Sequence, residues 1–350
     1  MTNPLNVGIV GYGYATGTFH APLISSVPGL SFAAVSSSDA TKVHAALPNV
    51  DVYATPQALF ARPDIDLIVI PTPNDSHHPL ALQALKAGKH VVVDKPFTLD
   101  VEQARDLIRV AAKVGRVLSV FHNRRWATDF LTVQKLLSSD VLGRIVHFEA
   151  HFDRYRPAVR ERWREGAGPG SGLWYDLGAH LLDEALCLFG VPEAIALDLS
   201  MQRDGALADD WFHCTLRYGG MRVILHGSVL VPNPGPRYVI HGTRGSYSKF
   251  GLDPQEDQLK AGQRPGSEGW GIDARPGTLW QSQETGLAES AVQNEPGDYS
   301  RYYAALRDSI LLGAPNPVPA EDALRVMQLI ELGRRSAAEG QVIQIPRSGN

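Results

Sequence analysis

Up to about residue 121 the chain repeats an alternation that few folds accommodate: a short apolar run, a helical pattern, another apolar run. The runs are Val7-Gly8-Ile9-Val10, Ser31-Phe32-Ala33-Ala34-Val35, Asp66-Leu67-Ile68-Val69-Ile70, His90-Val91-Val92-Val93 and Val117-Leu118-Ser119-Val120-Phe121. Near-continuous β-branched runs of this kind suit strands buried on both faces, as in a parallel sheet covered by helices. Between them the clearest helical patterns run from Pro79 to Ala87, closed by Gly88, and from Val101 to Val114, closed by Gly115. The rhythm predicts a doubly wound α/β domain over residues 1–122.

After residue 122 the pattern changes. Arg144 to Phe152 alternates apolar and polar residues, as a strand with one wet face does. Similar strands are expected at Trp211–Tyr218, Met221–Leu230 and Arg237–Phe250, separated by Gly219-Gly220 and by Pro232-Asn233-Pro234-Gly235-Pro236. Residues 123–350 are therefore expected to form an α+β domain with an open, mostly antiparallel sheet and the helix Leu173–Phe189 on one side. The stretch from Asp253 to Asp298 is polar and rich in Gly and Pro, with a hairpin expected around Thr285-Gly286. Ala320–Ala338 reads as a final helix capped by Gly340.

A length of 350 residues agrees with two domains at roughly 150 residues each. The net charge of −4 provides no basic field for nucleic acid or anionic lipid. Cys187 and Cys214 are the only cysteines, too few for a disulfide framework or a thiolate cage. No signal-peptide pattern opens the sequence, and no run approaches the ~20 apolar residues that span a bilayer. A cytoplasmic protein with neither nucleic acid nor membrane as partner is expected.

Gly11-Tyr12-Gly13-Tyr14-Ala15 follows the first strand directly and opens a helix. Glycines here permit a tight turn and a close approach to a pyrophosphate, whose charge meets free helix N–H groups. Thr16 stands at the third glycine position of the G-x-G-x-x-G pattern, with Gly17 one residue late. A plain structural turn is the alternative to dinucleotide binding. The second strand runs into Ser37-Ser38-Asp39. Asp39 there is either an acceptor for an adenosine ribose, favouring NAD over NADP, or the N-cap of the next helix. The third and fourth strands end in Thr72-Pro73-Asn74 with His77, and in Asp94-Lys95-Pro96, at the edge where open α/β sheets hold ligands. His77 is expected to face the cofactor and His78 the solvent. No set of residues has metal-ligand spacing, so no metal is expected.

Taken with Phe19-His20, Tyr175-Asp176 and His180, these motifs resemble the Gfo/Idh/MocA oxidoreductases over the whole chain. Ser119 to Trp126, Tyr155-Arg156-Pro157, Arg162-Trp163-Arg164-Glu165 and Gly235-Pro236-Arg237-Tyr238 are similar to the branch holding scyllo-inositol dehydrogenases and YdgJ-like oxidoreductases. The resemblance implies an N-terminal Rossmann domain, a C-terminal α+β domain, NAD or NADP in the cleft, and a homodimer or homotetramer through the C-terminal sheet. It also implies oxidation of a secondary alcohol on a sugar or cyclitol, or reduction of the ketone. The sequence departs from the family pattern at Thr16, at Asp94 where glutamate is usual, and at Gly170-Ser171-Gly172.

Within this frame Lys95 is placed at a strand end where an ammonium stabilises charge developing on the reacting oxygen. Asp176 and His180 are four apart, which on a regular α-helix puts both on one face about 5–6 Å apart at Cβ. His180 is assigned as the base, Lys95 as its electrostatic and relay partner, and Asp176 as the group orienting substrate. Which of Lys95 and His180 takes the proton first stays open. Asn123 joins the cofactor set. Arg124, Tyr155, Arg156, Trp163 and Tyr175, with Trp174, are candidates to bind a polyol. A dinucleotide-sensing regulator and a dihydrodiol or aldose dehydrogenase are the rival readings.

Overall fold

The computed structural model describes residues 4–284 and 286–346. A six-stranded sheet is made of β1 (Leu5–Val10), β2 (Leu30–Ser36), β3 (Asp51–Tyr53), β4 (Leu67–Ile70), β5 (His90–Val93) and β6 (Leu118–Val120). Its order is β3-β2-β1-β4-β5-β6 with every pair parallel. The chain reverses direction across the sheet between β1 and β4, which creates the switch point where such sheets bind nucleotides. Val7, Ile9, Leu67 to Ile70 and Val91 to Val93 are fully buried. That is why these runs carry no alternation.

The connecting helices are α1 (Ala21–Ser25), α2 (Ala40–Ala46), α3 (Pro56–Phe60), α4 (Asn74–Lys86) and α5 (Val101–Val114). Helix α4 starts at Asn74, ahead of the start expected at Pro79, so Thr72-Pro73 forms its entry. Asp100 caps α5 by accepting from the Gln103 amide, and Gly115 ends it in the left-handed region.

Two later segments return to this first compact unit, which comprises Met1–Trp126, Pro254–Gly271 and Asp298–Arg325. The first crossing follows Trp126, and no local pattern marks the returns. Gln255 Nε2 of the first donates to the Trp126 carbonyl; for the second, Tyr302 Oη donates to Ser119 Oγ, Ser119 Oγ to the Val318 carbonyl, and the Asp298 amide to the Trp126 carbonyl.

The second unit comprises Ala127–Asp253, Ile272–Gly297 and Val326–Asn350. It holds α6 (Thr128–Ser138), α7 (Ala179–Phe189) and a nine-stranded sheet. The strands are β7 (Ile145–Asp153), β8 (Ala194–Ser200), β9 (Trp211–Tyr218), β10 (Met221–Ser228), β11 (Tyr238–Gly242), β12 (Gly245–Lys249), β13 (Gly277–Gln283), β14 (Gly286–Val292) and β15 (Ile343–Gln344). Their order is β14-β13-β12-β11-β7-β10-β9-β8-β15, antiparallel except for β7 beside β10. The strand expected over Arg237–Phe250 is the hairpin β11–β12, turned at Thr243-Arg244. A hairpin, β13–β14, also stands where one was expected; Thr285 itself lies outside the described residues. Phe148, Ala150, Phe152, Phe212, Cys214, Leu216, Val223 and Leu225 fill the inner face, and the residues between them point outward.

Candidate active site

The expected cofactor residues of the first unit, His77 of α4 apart, sit just beyond the C-terminal ends of strands. Gly11 to Ala15 follow β1, Ser37 to Asp39 follow β2, Thr72 to Asn74 follow β4, Asp94 and Lys95 follow β5, and Asn123 follows β6. Gly11 has φ +86, and a Cβ there would approach the Thr72 methyl at 3.7 Å, so the β1 and β4 loops are in contact. A Cβ on Gly13 would meet nothing within 4 Å. The turn that follows, Thr16–His20, is π-wound, runs on into α1, and has no side-chain cap at Ala15. Open space against uncapped amides at the positive end of a helix fits a pyrophosphate. Thr16 is buried and its Oγ1 donates to the Gly11 carbonyl at 2.8 Å, so the departure from glycine braces the turn.

The flanking residues are more constrained than the sequence suggests. Tyr12 packs on Val35, Val43 and Val50. Tyr14 is 59% exposed and its hydroxyl donates to Glu256 Oε1. Asp39 caps α2, accepting from the Lys42 amide at 2.9 Å, while the residue stays exposed. The N-cap reading of Asp39 is therefore correct, and the ribose reading is left compatible with it.

His77 is a correction. It is fully buried, with Nδ1 2.9 Å from the Pro96 carbonyl and Nε2 2.9 Å from the Thr72 carbonyl. Burial lowers its pKa, and the neutral ring donates its one N–H to one of these two carbonyls of the β4 and β5 loops. His78 is only partly exposed and pairs with Asp106. Arg124 is a second correction: its guanidinium is buried, bonding Tyr299 Oη at 2.9 Å and Glu256 Oε2 at 3.2 Å. It therefore braces the first unit instead of reaching for a polyol. Burial pushes Glu256 up, yet Arg124 and Lys260 hold it at about 2.

Around Lys95 lies a group that sequence reasoning passed over. His20 is fully buried, its Nδ1 2.5 Å from Tyr303 Oη and its Nε2 3.6 Å from Asp94 Oδ2. Asp94 Oδ1 accepts from the Lys95 amide at 2.8 Å. Burial pushes the Asp94 carboxyl up, but His20, Lys95 and His77 hold it at about 2. A permanent carboxylate thus stands behind Lys95. Phe19-His20 was visible as a motif, whereas Tyr303 is distant in sequence and left no signal.

In the second unit Gly172, at φ +96, precedes a second π turn, Trp174–Gly178, which runs into α7. Asp176 lies in the π turn and His180 in the first turn of α7. A π turn closes its hydrogen bonds over five residues instead of four. The geometry expected of two residues four apart on a regular α-helix therefore does not apply. Asp176 Oδ1 is 3.5 Å from Arg164 Nε, and the residue lines an open depression with Arg162, Arg164, Arg203, Asp209 and Val229. His180 is 7% exposed, its ring 6.2 Å from that of Phe152. One turn on, Glu184 accepts from Arg237 Nη2 at 2.5 Å and Tyr238 Oη at 2.9 Å. That buried pair fixes α7, and with it His180, against the sheet.

Asp209 answers the second π turn: its Oδ2 accepts from the Trp174 amide at 2.6 Å. Burial pushes Asp209 up to about 6, against the pull of that bond. Among the expected polyol contacts, Tyr155 is 59% exposed and Arg156 and Trp163 are half-buried. Their loop is held by Glu165, which accepts from Arg162 Nε and Arg203 Nη1. Tyr175 and Trp174 are corrections. Trp174 is fully buried between Gly178 and Gly333 and donates to the Ile330 carbonyl; buried Tyr175 receives Arg334 at its hydroxyl.

Two family models match the chain: an oxidoreductase family NAD-binding Rossmann fold over residues 5–122, and the C-terminal alpha/beta domain of the same family over 134–345. The chain belongs to the Gfo/Idh/MocA oxidoreductase family. The uncharacterized oxidoreductase YdgJ of Escherichia coli (strain K12) is 56% identical over 96% of this chain and 97% of its own. The scyllo-inositol 2-dehydrogenase (NADP(+)) IolW of Bacillus subtilis (strain 168) is 38% identical over 97% and 96%. A solved structure from Yersinia pestis, described no further than as an oxidoreductase, is 55% identical, covers 100% and 99%, and superposes with a TM-score of 0.96. The family and its Rossmann domain make this an oxidoreductase with a nicotinamide dinucleotide cofactor. Among the described residues no helix is long and apolar enough to cross a membrane.

Proposed function

We propose that this oxidoreductase interconverts a secondary alcohol and a ketone on a cyclitol or sugar-like polyol, with scyllo-inositol and its inosose as the first substrates to test. A bound nicotinamide would supply the hydride chemistry that oxidation of the carbinol carbon or reduction of the ketone needs. Lys95 presents an ammonium to the reacting oxygen and stabilises its negative charge. His180 takes the hydroxyl proton in oxidation and returns it in reduction, an assistance worth typically 10²–10⁴-fold. Asp176 accepts a hydrogen bond from a neighbouring substrate hydroxyl. Tyr155, Arg156 and Trp163 offer surface to the rest of the ring.

The observation that supports this reading is the joint presence of Lys95, Asp176 and His180 in a chain that is 38% identical to a relative named as an inositol dehydrogenase. A dinucleotide sensor of the same fold needs no base. We propose NAD over NADP on the exposed Asp39 carboxylate, which repels a 2′-phosphate; the NADP(+) in the relative's name points the other way. Self-association through the C-terminal sheet and a cytoplasmic location complete the proposal.

The test is an absorbance screen at the nicotinamide band with inositols, inososes and aldoses, using both cofactors. Turnover of a cyclitol is the expected outcome. Tight dinucleotide binding with no turnover across the panel would hand the reading to a sensor.

A further inference from the structure

We infer that the outward face of the second unit's sheet carries a site for one first-row divalent cation, formed by His151, Asp153 and His226. Strand periodicity assembles it. His151 and Asp153 are two apart on β7 and share a face, and His226 on β10 is in register with His151. One ligand atom from each lies within 4.8 Å of the other two. His226 Nε2 is 3.6 Å from Asp153 Oδ1, and His151 Nδ1 is 3.8 Å from Asp153 Oδ2. A tetrahedral ion with bonds near 2.0–2.2 Å separates its ligands by about 3.4 Å. Rotamer adjustments of a fraction of an ångström to about one ångström therefore close the set.

Two observations point to a ligand, beyond the proximity itself. The Asp153 side chain is 7% exposed and its Oδ1 is buried without a hydrogen-bond partner, a costly state for a carboxylate oxygen. His151 Nε2 is 2.9 Å from Glu149 Oε2. Donating its proton to that carboxylate leaves the Nδ1 lone pair directed toward Asp153. Carboxylate–histidine–metal relays orient ligands in this way. Two imidazoles and one carboxylate suit zinc, nickel or ferrous iron and leave a position open. All three donors come from one chain, so binding needs no second copy. Neighbour spacing in the sequence concealed the set because His226 lies on a strand distant along the chain from His151 and Asp153.

The experiment titrates untagged, chelator-stripped protein with zinc chloride alone, read by calorimetry and by the melting temperature. One ion per chain, micromolar or tighter, with a rise in melting temperature, is expected. His226→Ala and Asp153→Asn each weaken binding more than about tenfold, and Glu149→Gln about tenfold through the lost relay. His241→Ala, outside the set, leaves binding unchanged. Circular dichroism checks each fold, and near-isosteric Asp153→Asn serves if His226→Ala does not fold. Equal heats from wild type and a His151→Ala/His226→Ala double variant would overturn the inference. Equal weakening by His241→Ala would do so too.

Discussion

Each unit contains a glycine turn that leads into a helix whose first turn is π-wound: Gly11–Gly13 before Thr16–His20, and Gly170–Gly172 before Trp174–Gly178. The two turns differ in what meets the new helix. In the first, no side chain caps Ala15 and the space beside Gly13 is open. In the second, Asp209 already bonds the Trp174 amide, and a Cβ on Gly172 would fall 2.1 Å from Asp209 Oδ1. One helix start has no side-chain cap; the other is satisfied by the chain itself. The carboxylates follow the same division. Asp94, among His20, Lys95 and His77, is held at about 2, while burial pushes Asp209 up to about 6.

The largest effect on this contrast is expected from alanine at the two glycines. Gly172→Ala combines φ +96 with a collision against Asp209, so a loss of about 3–5 kcal/mol is expected in urea denaturation. Gly13→Ala meets no atom and should keep wild-type stability, yet weaken dinucleotide binding at least about tenfold in a fluorescence titration. A dinucleotide affinity unchanged by Gly13→Ala would remove the contrast.

Asp209 comes next. Its folded pKa, about 6, lies above the ordinary 3.8, so the folded state holds the extra proton between those values. Stability from this group is full below about pH 4 and is lost as pH rises through 6, by up to about 3 kcal/mol. Asp209→Asn should abolish that decline in urea midpoints across the window. Asp94 has the opposite sign. Its folded pKa is depressed, so its contribution of about 2 kcal/mol is present above pH 4 and lost as pH falls through about 2. Asp94→Asn should be less stable at neutral pH by that amount, and equal midpoints would refute the charge cluster behind Lys95.

The smallest effect is expected at Asp39. Asp39→Ala removes the α2 cap, about 1 kcal/mol, and should raise the affinity for NADP relative to NAD. A cofactor ratio unmoved by the substitution would leave Asp39 a cap alone.

The parallel sheet was legible because burial on both faces leaves unbroken apolar runs, as in Leu67 to Ile70. The cofactor edge was legible because glycine and proline mark strand ends. What escaped had a different cause in each case. The π turns carry no residue signature, only a shift in hydrogen-bond phase, so the Asp176–His180 geometry was read as regular α-helix. His77 and Arg124 were misjudged because their partners, backbone carbonyls in one case and Tyr299 and Glu256 in the other, are set by tertiary contact. Tyr303 and the two returning segments lie far along the chain from what they touch.

The most direct measurement is single-turnover nicotinamide absorbance on one substrate for Lys95→Ala, His180→Ala and the double variant. On the roles proposed above the two groups would act as a unit, so each single change should cost about 10²–10³-fold and the double little more than the worse single. Losses that multiply in the double variant, or wild-type turnover in either single one, would contradict a shared role.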